Sequence, residues 1–286
     1  MEFRIDSKHR LTRKGRLVER VMSPAAHTSG TFSVQPKIIV MHYTYGGSGR
    51  SSAEWFRDPA NRYKSSAHVV VDRDGSVIQC VDFNTAANHA GRSSWGPFKG
   101  LNRHAYGIEL ANWGYLQKRG SGWTSYTGLA IADPVLAIHK NGNPNGSGAP
   151  IGWEPFPAAL ISTATQIARA LTEAYGVTEI VGHDDISVGR KWDPGPAFDM
   201  DAFRADVLED MSADTANLLR SHTPSDTLNL RSGPGMNFAV LEELPEGTLL
   251  SPQQYDANWV LVHVLKENGT VGKTGWVFAR LTIPAG

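Results

Sequence analysis

The chain has 286 residues, 41% hydrophobic and 20% charged, which is enough apolar content for buried cores and about two domains. Its 28 Lys and Arg balance its 28 Asp and Glu, so a protein that binds nucleic acid or anionic lipid through bulk charge is excluded. The single cysteine, Cys80, excludes an intrachain disulfide and a Cys-x-x-Cys metal site. A metal site would therefore need His, Asp or Glu ligands.

Residues 1–36 contain no motif, and residues 1–20 hold seven basic and three acidic side chains. We predict a solvated N-terminal extension here, with contact to an anionic wall polymer or a partner as the alternative. The chain has no apolar run long enough for a membrane span, and it does not start with the apolar core of a secretory signal. We therefore expect a protein that is cytoplasmic as synthesised, with no membrane span. The sequence does not indicate its oligomeric state.

The next region alternates between strand and helix signals, which predicts an α/β domain with a mixed central β-sheet flanked by helices over residues 37–211. The best helix signal runs from Phe156 to Tyr175, with apolar residues at helical spacing and Gly176 as its end. The other predicted elements are a buried strand over 37–42, a short helix capped by Ser51, a hairpin over 67–81, a strand over 106–110, an irregular segment over 112–153, a strand over 178–183 and an acidic helix over 199–211.

Small polar residues replace the helical pattern over 212–225, which predicts a linker. From 226 to 286 the pattern changes to short β-rich runs separated by Gly and Pro, which is typical of a small all-β barrel.

Two histidines, His42 and His183, end predicted strands, and Asp193 follows in a glycine-rich segment with Lys191. A single buried histidine is more often a packed core residue than a ligand. Two histidines and an aspartate would nevertheless supply three ligands and leave an open position, as in catalytic zinc sites, where zinc acidifies a bound water.

Five motifs in a fixed order give this region a specific resemblance. Over about residues 37–200 the chain resembles the zinc-dependent N-acetylmuramoyl-L-alanine amidases of type 2. The motifs are Met41-His-Tyr-Thr44, Ser66-Ala-His-Val-Val-Val-Asp-Arg-Asp-Gly75, Asn88-His-Ala-Gly91, Gly107-Ile-Glu-Leu110, and Gly182-His-Asp-Asp185 followed by Lys191-Trp-Asp-Pro-Gly195.

The resemblance implies that His42, His183 and Asp193 bind one Zn²⁺ per chain. Asp rather than Cys at the third position is similar to the bacterial recycling and outer-membrane branch of the family. Glu109 would then activate the water and Lys191 would stabilise the oxyanion. The catalytic tyrosine of the Cys-ligand branch has no counterpart, because Ala67 occupies its position.

The resemblance also places Asn88, His89 and Ala90 near the substrate peptide. For His89 a structural role in a turn is an equal alternative. Three tryptophans of the irregular segment are candidates either for a sugar- or peptide-binding groove or for packing: Trp113, Trp123 and Trp153.

The C-terminal region resembles a bacterial SH3-type (SH3b) domain. The resemblance depends on Leu228-Asn-Leu-Arg-Ser-Gly-Pro-Gly-Met-Asn-Phe-Ala-Val-Leu241, Leu244-Pro-Glu-Gly-Thr248, Trp259 and Gly275-Trp-Val277. It implies a module that binds cell-wall peptide or docks beside the enzyme.

Together these features predict a peptidoglycan hydrolase that cleaves the amide between N-acetylmuramic acid and L-alanine, with peptidoglycan or a muropeptide as its partner. The alternatives are a cytoplasmic recycling amidase for anhydro-muropeptides and a non-catalytic peptidoglycan-binding protein. An autolysin, or a phage endolysin that reaches the periplasm or wall by a holin or a specialised secretion machine, is a further form of the main hypothesis.

Overall fold

A computed structural model describes residues 2–209, 218–222, 227–256, 258–266 and 270–285, and the chain divides into two compact units, Met1–Leu208 and Glu209–Gly286. The helices of the first unit are α1 (Gly49–Arg57), α2 (Ala158–Tyr175), α3 (His183–Ile186) and α4 (Met200–Arg204), with a π-helical turn over Ala205–Glu209 and 3₁₀ turns over Ala25–His27 and Leu101–Arg103. Its strands are β1 (Phe3–Ile5), β2 (Leu11–Arg13), β3 (Arg16–Leu17), β4 (Glu19–Arg20), β5 (Thr28–Thr31), β6 (Ile38–Tyr43), β7 (Val69–Val71), β8 (Val77–Gln79), β9 (Thr85–Ala87), β10 (Ser94–Trp95), β11 (Phe98–Lys99), β12 (Ala105–Leu110), β13 (Gln117–Arg119), β14 (Gly122–Thr124), β15 (Ala130–Ile131), β16 (Val135–Ala137), β17 (Ile151–Trp153) and β18 (Glu179–Gly182).

The centre of the first unit is a six-stranded sheet in the order β18-β6-β12-β7-β8-β4. Strands β18, β6, β12 and β7 run parallel, whereas β8 is antiparallel to β7. Helix α2 packs its apolar stripe on one face, where Leu160 and Ile167 join the core with Met41 and Ile108. Helix α1 covers part of the other face. The prediction of a mixed sheet flanked by helices is therefore confirmed.

Most predicted elements of this unit are present, with shifted ends. Helix α1 begins at Gly49 rather than after Ser51, because the Ser48 hydroxyl accepts the Ser51 N–H at 3.1 Å. Helix α2 ends at Gly176, whose φ of +63° suits glycine. The predicted acidic helix is present as α4 and its π-helical turn; its last two residues, 210–211, lie outside the described residues. The irregular segment over 112–153 contains the short strands β13 to β17.

The prediction of a solvated N-terminal extension is wrong. Strands β1, β2 and β3 form a small sheet, and Phe3 and Leu11 are fully buried in the core that contains α2. Strand β4 extends the central sheet beside β8. Part of the basic charge is paired, as in the Arg20–Asp82 bridge at 2.8 Å. The segment is therefore a structural part of the first unit.

The second unit contains β19 (Leu219–Ser221), β20 (Thr227–Arg231), β21 (Val240–Pro245), β22 (Leu249–Asp256), β23 (Trp259–Leu265), β24 (Val271–Phe278), a 3₁₀ turn over Ala279–Leu281 and β25 (Thr282–Pro284). These strands pair antiparallel in the order β21-β20-β24-β23-β22-β19-β25. Leu230, Val260 and Val262 are fully buried in its separate core. The all-β prediction is confirmed. The linker prediction is wrong at Leu219–Ser221, because this strand pairs with β22 and β25; much of the remaining predicted linker lies outside the described residues.

Candidate metal centre and cavity

Two parallel neighbours of the central sheet carry the two candidate histidine ligands to one edge. His42 is near the end of β6, and His183 directly follows β18 as the first residue of α3. Asp193, from the loop after α3, completes a buried group. His42 Nδ1, His183 Nδ1 and Asp193 Oδ2 are each 2.9 Å from the other two. The structure thus brings together the three residues that the sequence predicted as zinc ligands.

The backbone settles which nitrogen of His183 carries hydrogen. Its Nε2 is 3.1 Å from the carbonyl oxygen of Ala90, which can only accept a hydrogen bond. Nε2 is therefore the donor in the neutral ring. The Nδ1 lone pair is then directed at His42 and Asp193.

A second hydrogen-bond chain settles the tautomer of His42. His89 Nε2 faces the Ala105 carbonyl at 3.2 Å and therefore donates, which leaves His89 Nδ1 as an acceptor. His42 Nε2 lies 3.0 Å from that acceptor and donates to it. Burial and the adjacent His183 lower the pKa of His42 to about 4, so its ring is neutral near pH 7 and its Nδ1 lone pair is also free.

The donor set fits a cation. Two imidazole lone pairs and a carboxylate oxygen face one another at 2.9 Å, which is unfavourable unless positive charge lies among them. Two histidines and one carboxylate match the ligands of catalytic zinc sites, and hydrogen bonds behind the histidines fix the rings as such sites require. The residues present thus fit a zinc ion.

Glu109 lies beside His42. The two residues are register partners on the parallel strands β12 and β6, so their side chains share one face of the sheet. Ile108 and Leu110 point to the opposite face and are fully buried in the core. Glu109 Oε2 is buried without a hydrogen-bond partner among the described residues. Burial, together with the charge of Asp193, raises the pKa of Glu109 to about 8, which the charge of Lys191 opposes.

A cavity of about 340 Å³ opens over the three ligands and is lined by both Glu109 and Lys191. Lys191 is two residues before Asp193 in the same loop, and its positive charge lowers the pKa of both Glu109 and His42. A carboxyl group and a cation therefore line the same cavity as the three candidate ligands.

Part of the cavity lining is aromatic. Tyr45, Tyr115 and Trp192 line it and form a continuous row, with ring centroids 5.0 Å apart between Tyr45 and Tyr115 and 6.5 Å apart between Tyr115 and Trp192. Tyr126 stacks on Tyr45 at 4.9 Å and is 50% exposed. We call these four residues the aromatic row. It offers aromatic surface beside the three candidate ligands.

The residues predicted to contact substrate fall into two groups. Asn88 and His89 line the cavity, and their predicted substrate contact stays a prediction. Ala90 is a correction: its side chain is fully buried in a core cluster and is not part of the cavity lining. Its carbonyl oxygen instead accepts a hydrogen bond from His183 Nε2.

Sequence reasoning missed two features of the site. The aromatic row was not identified, whereas Trp113 and Trp153, which were candidates, are buried. His139 had no motif support, yet its Nε2 lies 3.0 Å from Asp184 Oδ2, directly beside a ligand. The sequence contained a signal only for the second feature. Asp184 directly follows the candidate ligand His183, and a buried aspartate usually needs a polar partner such as His139.

Comparison with known proteins gives the family of this chain. The model of the N-acetylmuramoyl-L-alanine amidase family Amidase_2 matches residues 33–196, more than half of the chain, and the chain belongs to this family.

Individual relatives are similar to this chain at 24% to 32% sequence identity. The 1,6-anhydro-N-acetylmuramyl-L-alanine amidase AmpD of Escherichia coli (strain K12) is 32% identical over 145 residues, which are 51% of this chain and 60% of that protein. AmpD of Salmonella typhimurium (strain SL1344) is 28% identical over 208 residues, 67% of this chain and 92% of that protein. A crystal structure of a selenomethionine AmpD derivative aligns with a TM-score of 0.45 at 24% identity, covering 66% of this chain and 94% of that chain. The chain thus spans 60% of the first relative's length.

None of the described helices is both long and apolar enough to cross a membrane.

Proposed function

We propose that this protein hydrolyses the amide bond between N-acetylmuramic acid and the L-alanine of peptidoglycan stem peptides, with one zinc ion held by His42, His183 and Asp193. The observation that carries the proposal is the convergence of three electron-pair donors at 2.9 Å on a cavity that also contains Glu109. Membership of the amidase family supports it.

When bound, zinc would polarise the scissile carbonyl and lower the pKa of a water molecule in the cavity. Glu109 then serves as the proton carrier. Its unpaired Oε2 accepts a proton from the attacking water and later delivers it to the leaving amine of L-alanine. Burial raises the pKa of Glu109, which favours a carboxyl group that can both accept and release a proton near neutral pH.

Lys191 contributes positive charge. As the scissile carbonyl becomes tetrahedral, negative charge develops on its oxygen within a partly enclosed cavity. The ammonium group of Lys191 stabilises that charge, and its position in the loop of Asp193 keeps it near the metal centre.

The first test measures both the hydrolysis of muropeptide and the zinc content of the protein. The zinc-loaded protein should release L-alanyl peptide from a soluble muropeptide, detected by mass spectrometry. Glu109→Ala should lower kcat by about 10²–10⁴-fold and Lys191→Ala by about 10²–10³-fold, with both variants folded and still holding zinc. His183→Ala should lose the zinc. The exposed residues Glu173 and Lys99 provide matched controls, and Glu173→Gln and Lys99→Met should retain full activity.

Wild-type turnover by Glu109→Ala would contradict the assignment of the proton carrier. A zinc-loaded wild type that binds muropeptide without cleaving it would instead identify a non-catalytic peptidoglycan-binding protein.

We further propose that the second unit is an SH3-like domain that directs the enzyme to intact wall. Its antiparallel all-β sheet and the SH3b-like motif over residues 228–241 support this.

The relatives' names, 1,6-anhydro-N-acetylmuramyl-L-alanine amidase, favour a soluble anhydro-muropeptide as the second candidate substrate. Digesting intact sacculi and anhydro-muropeptides in parallel separates the two. Preference for sacculi that disappears when residues 218–286 are removed supports wall targeting, whereas equal loss on both substrates contradicts it.

A further inference from the structure

The loop Asn88–Gly91 contacts the rear of both candidate zinc histidines. His89 Nδ1 accepts the Nε2–H of His42 at 3.0 Å, and the carbonyl oxygen of Ala90 accepts the Nε2–H of His183 at 3.1 Å. These two adjacent residues therefore fix the tautomer and ring orientation of two ligands that are 141 residues apart in sequence.

One side chain outside the loop organises its backbone. The Oδ1 atom of Asn102 accepts three consecutive N–H groups, from His89 at 3.1 Å, Ala90 at 2.7 Å and Gly91 at 3.3 Å. Three donors on one oxygen force this stretch of chain to curve around Asn102. The curvature turns the His89 ring toward His42 and directs the Ala90 carbonyl at His183, and Arg190 Nη2 donates to the same carbonyl at 3.0 Å.

Asn102 is itself held firmly. It lies in the 3₁₀ turn Leu101–Arg103, directly after Leu101, which is fully buried in the core cluster that also contains Val40 and Ala90. The ring of His89 packs against Gly107 so closely that a Cβ at Gly107 would lie 2.5 Å from His89 Cγ. Asn102 therefore holds the backbone of the loop, and Gly107 of β12 packs against the ring of His89.

We propose that Asn102 is a positioning residue for the metal centre: its single amide oxygen sets the loop that orients both zinc histidines. The proposal rests on the zinc site of the proposed function. It needs no contact between Asn102 and the metal, the substrate or a ligand side chain.

The test compares Asn102→Ala, which removes the acceptor, with Asn102→Asp, which keeps an oxygen at the same position. Asn61→Ala is the matched control, because the Asn61 amide also closes a turn, with bonds to Ser65 O and Tyr63 N, but faces no ligand. Zinc affinity of the full chain is measured by chelator competition, and the ligand geometry by the visible absorption spectrum of the Co²⁺-substituted protein.

Asn102→Ala should bind zinc about 10–100-fold more weakly and show an altered Co²⁺ spectrum, whereas Asn102→Asp should stay near wild type in both. Asn61→Ala should lower the melting temperature without changing zinc affinity. Wild-type zinc affinity in a folded Asn102→Ala overturns the proposal, as does a loss in Asn102→Asp equal to that in Asn102→Ala. A wild type that binds zinc but cleaves no muropeptide would contradict the proposed function and leave this inference standing.

Discussion

Glu109 is half-buried, but its Oε2 is buried and has no hydrogen-bond partner in the described part of the chain, so its ionisation affects both chemistry and stability. Its pKa is raised from 4.5 to about 8 by burial and by Asp193. The folded chain retains a proton that the unfolded chain releases above pH 4.5. Folding is consequently penalised as pH rises from about 4.5 to 8, by at most about 1.4 kcal/mol per pH unit.

In zinc-free protein, Glu109→Gln should remove this penalty. The variant should match the wild type near pH 4.5 and exceed it in unfolding free energy by a margin that grows up to about pH 8 and then levels off. Chemical denaturation across this pH range measures the difference. The exposed Glu173→Gln should show no such growth, and a constant difference for Glu109→Gln would contradict the burial of its carboxyl group.

Tyr45 has an unfavourable backbone conformation. Its φ of +53° is unfavourable for a bulky residue and costs about 1–2 kcal/mol. Arg73 holds this turn by donating to the Gly47 carbonyl at 3.0 Å, and Arg73 is itself paired with buried Glu154. The fold thus accepts strain and places the Tyr45 ring in the cavity wall, as is common at functional sites.

Tyr45→Gly should raise KM for muropeptide about tenfold while kcat and zinc content stay near wild type, because it removes a wall of the cavity and none of the chemical groups. Steady-state kinetics measure this. Asp133→Gly is the matched control, since Asp133 has a φ of +47° but is exposed and lies outside the cavity. A fall in kcat with unchanged KM would assign Tyr45 to the chemical step instead.

At the scale of elements, long periodic segments were predictable and short ones were not. Helix α2 has five turns of apolar spacing and a glycine end signal, and β6 is a continuous apolar run, so each was identified with small errors at its ends. Strands β1 to β4 have two or three residues each, too few to show a period, and charged neighbours mask them. Phe3 of β1 and Leu11 of β2 are buried in the core that contains α2, which is distant in sequence.

The N-terminal strands provide a direct test of this correction. Phe3→Ala should lower the free energy of unfolding by about 3–5 kcal/mol, because a fully buried aromatic ring in the main core is lost. Leu17→Ala, in β3 of the same small sheet but 45% exposed, should cost less than about 1 kcal/mol. Urea titration measures both, and equal small effects would restore the prediction of a solvated extension.

The candidate site was also predictable only in part. His42, His183, Asp193, Glu109 and Lys191 carry motifs, and the structure gathers them around one cavity. Asn102 and Tyr45 have no sequence signal, because their roles depend on backbone geometry: three converging N–H groups in one case and a positive φ in the other.

At the scale of the whole molecule, two separate cores predict two unfolding events. The core with Leu160 belongs to the first unit and that with Val262 to the second. Calorimetry should resolve two transitions. A free zinc concentration of about 100 times the Kd should stabilise only the first unit, by about 2.7 kcal/mol. Val262→Ala should lower the other transition alone, and a zinc shift in both transitions would contradict independent cores.

The spacing of the three candidate ligands along the chain has a consequence for synthesis. His42 leaves the ribosome long before Asp193, which follows it by 151 residues. A nascent chain therefore presents isolated histidines, and the complete chelate forms only when the first unit is almost finished and β18 has joined β6. Zinc held at the proposed site would therefore bind only chains that have already assembled the sheet, and its binding would act as a late checkpoint on correct folding.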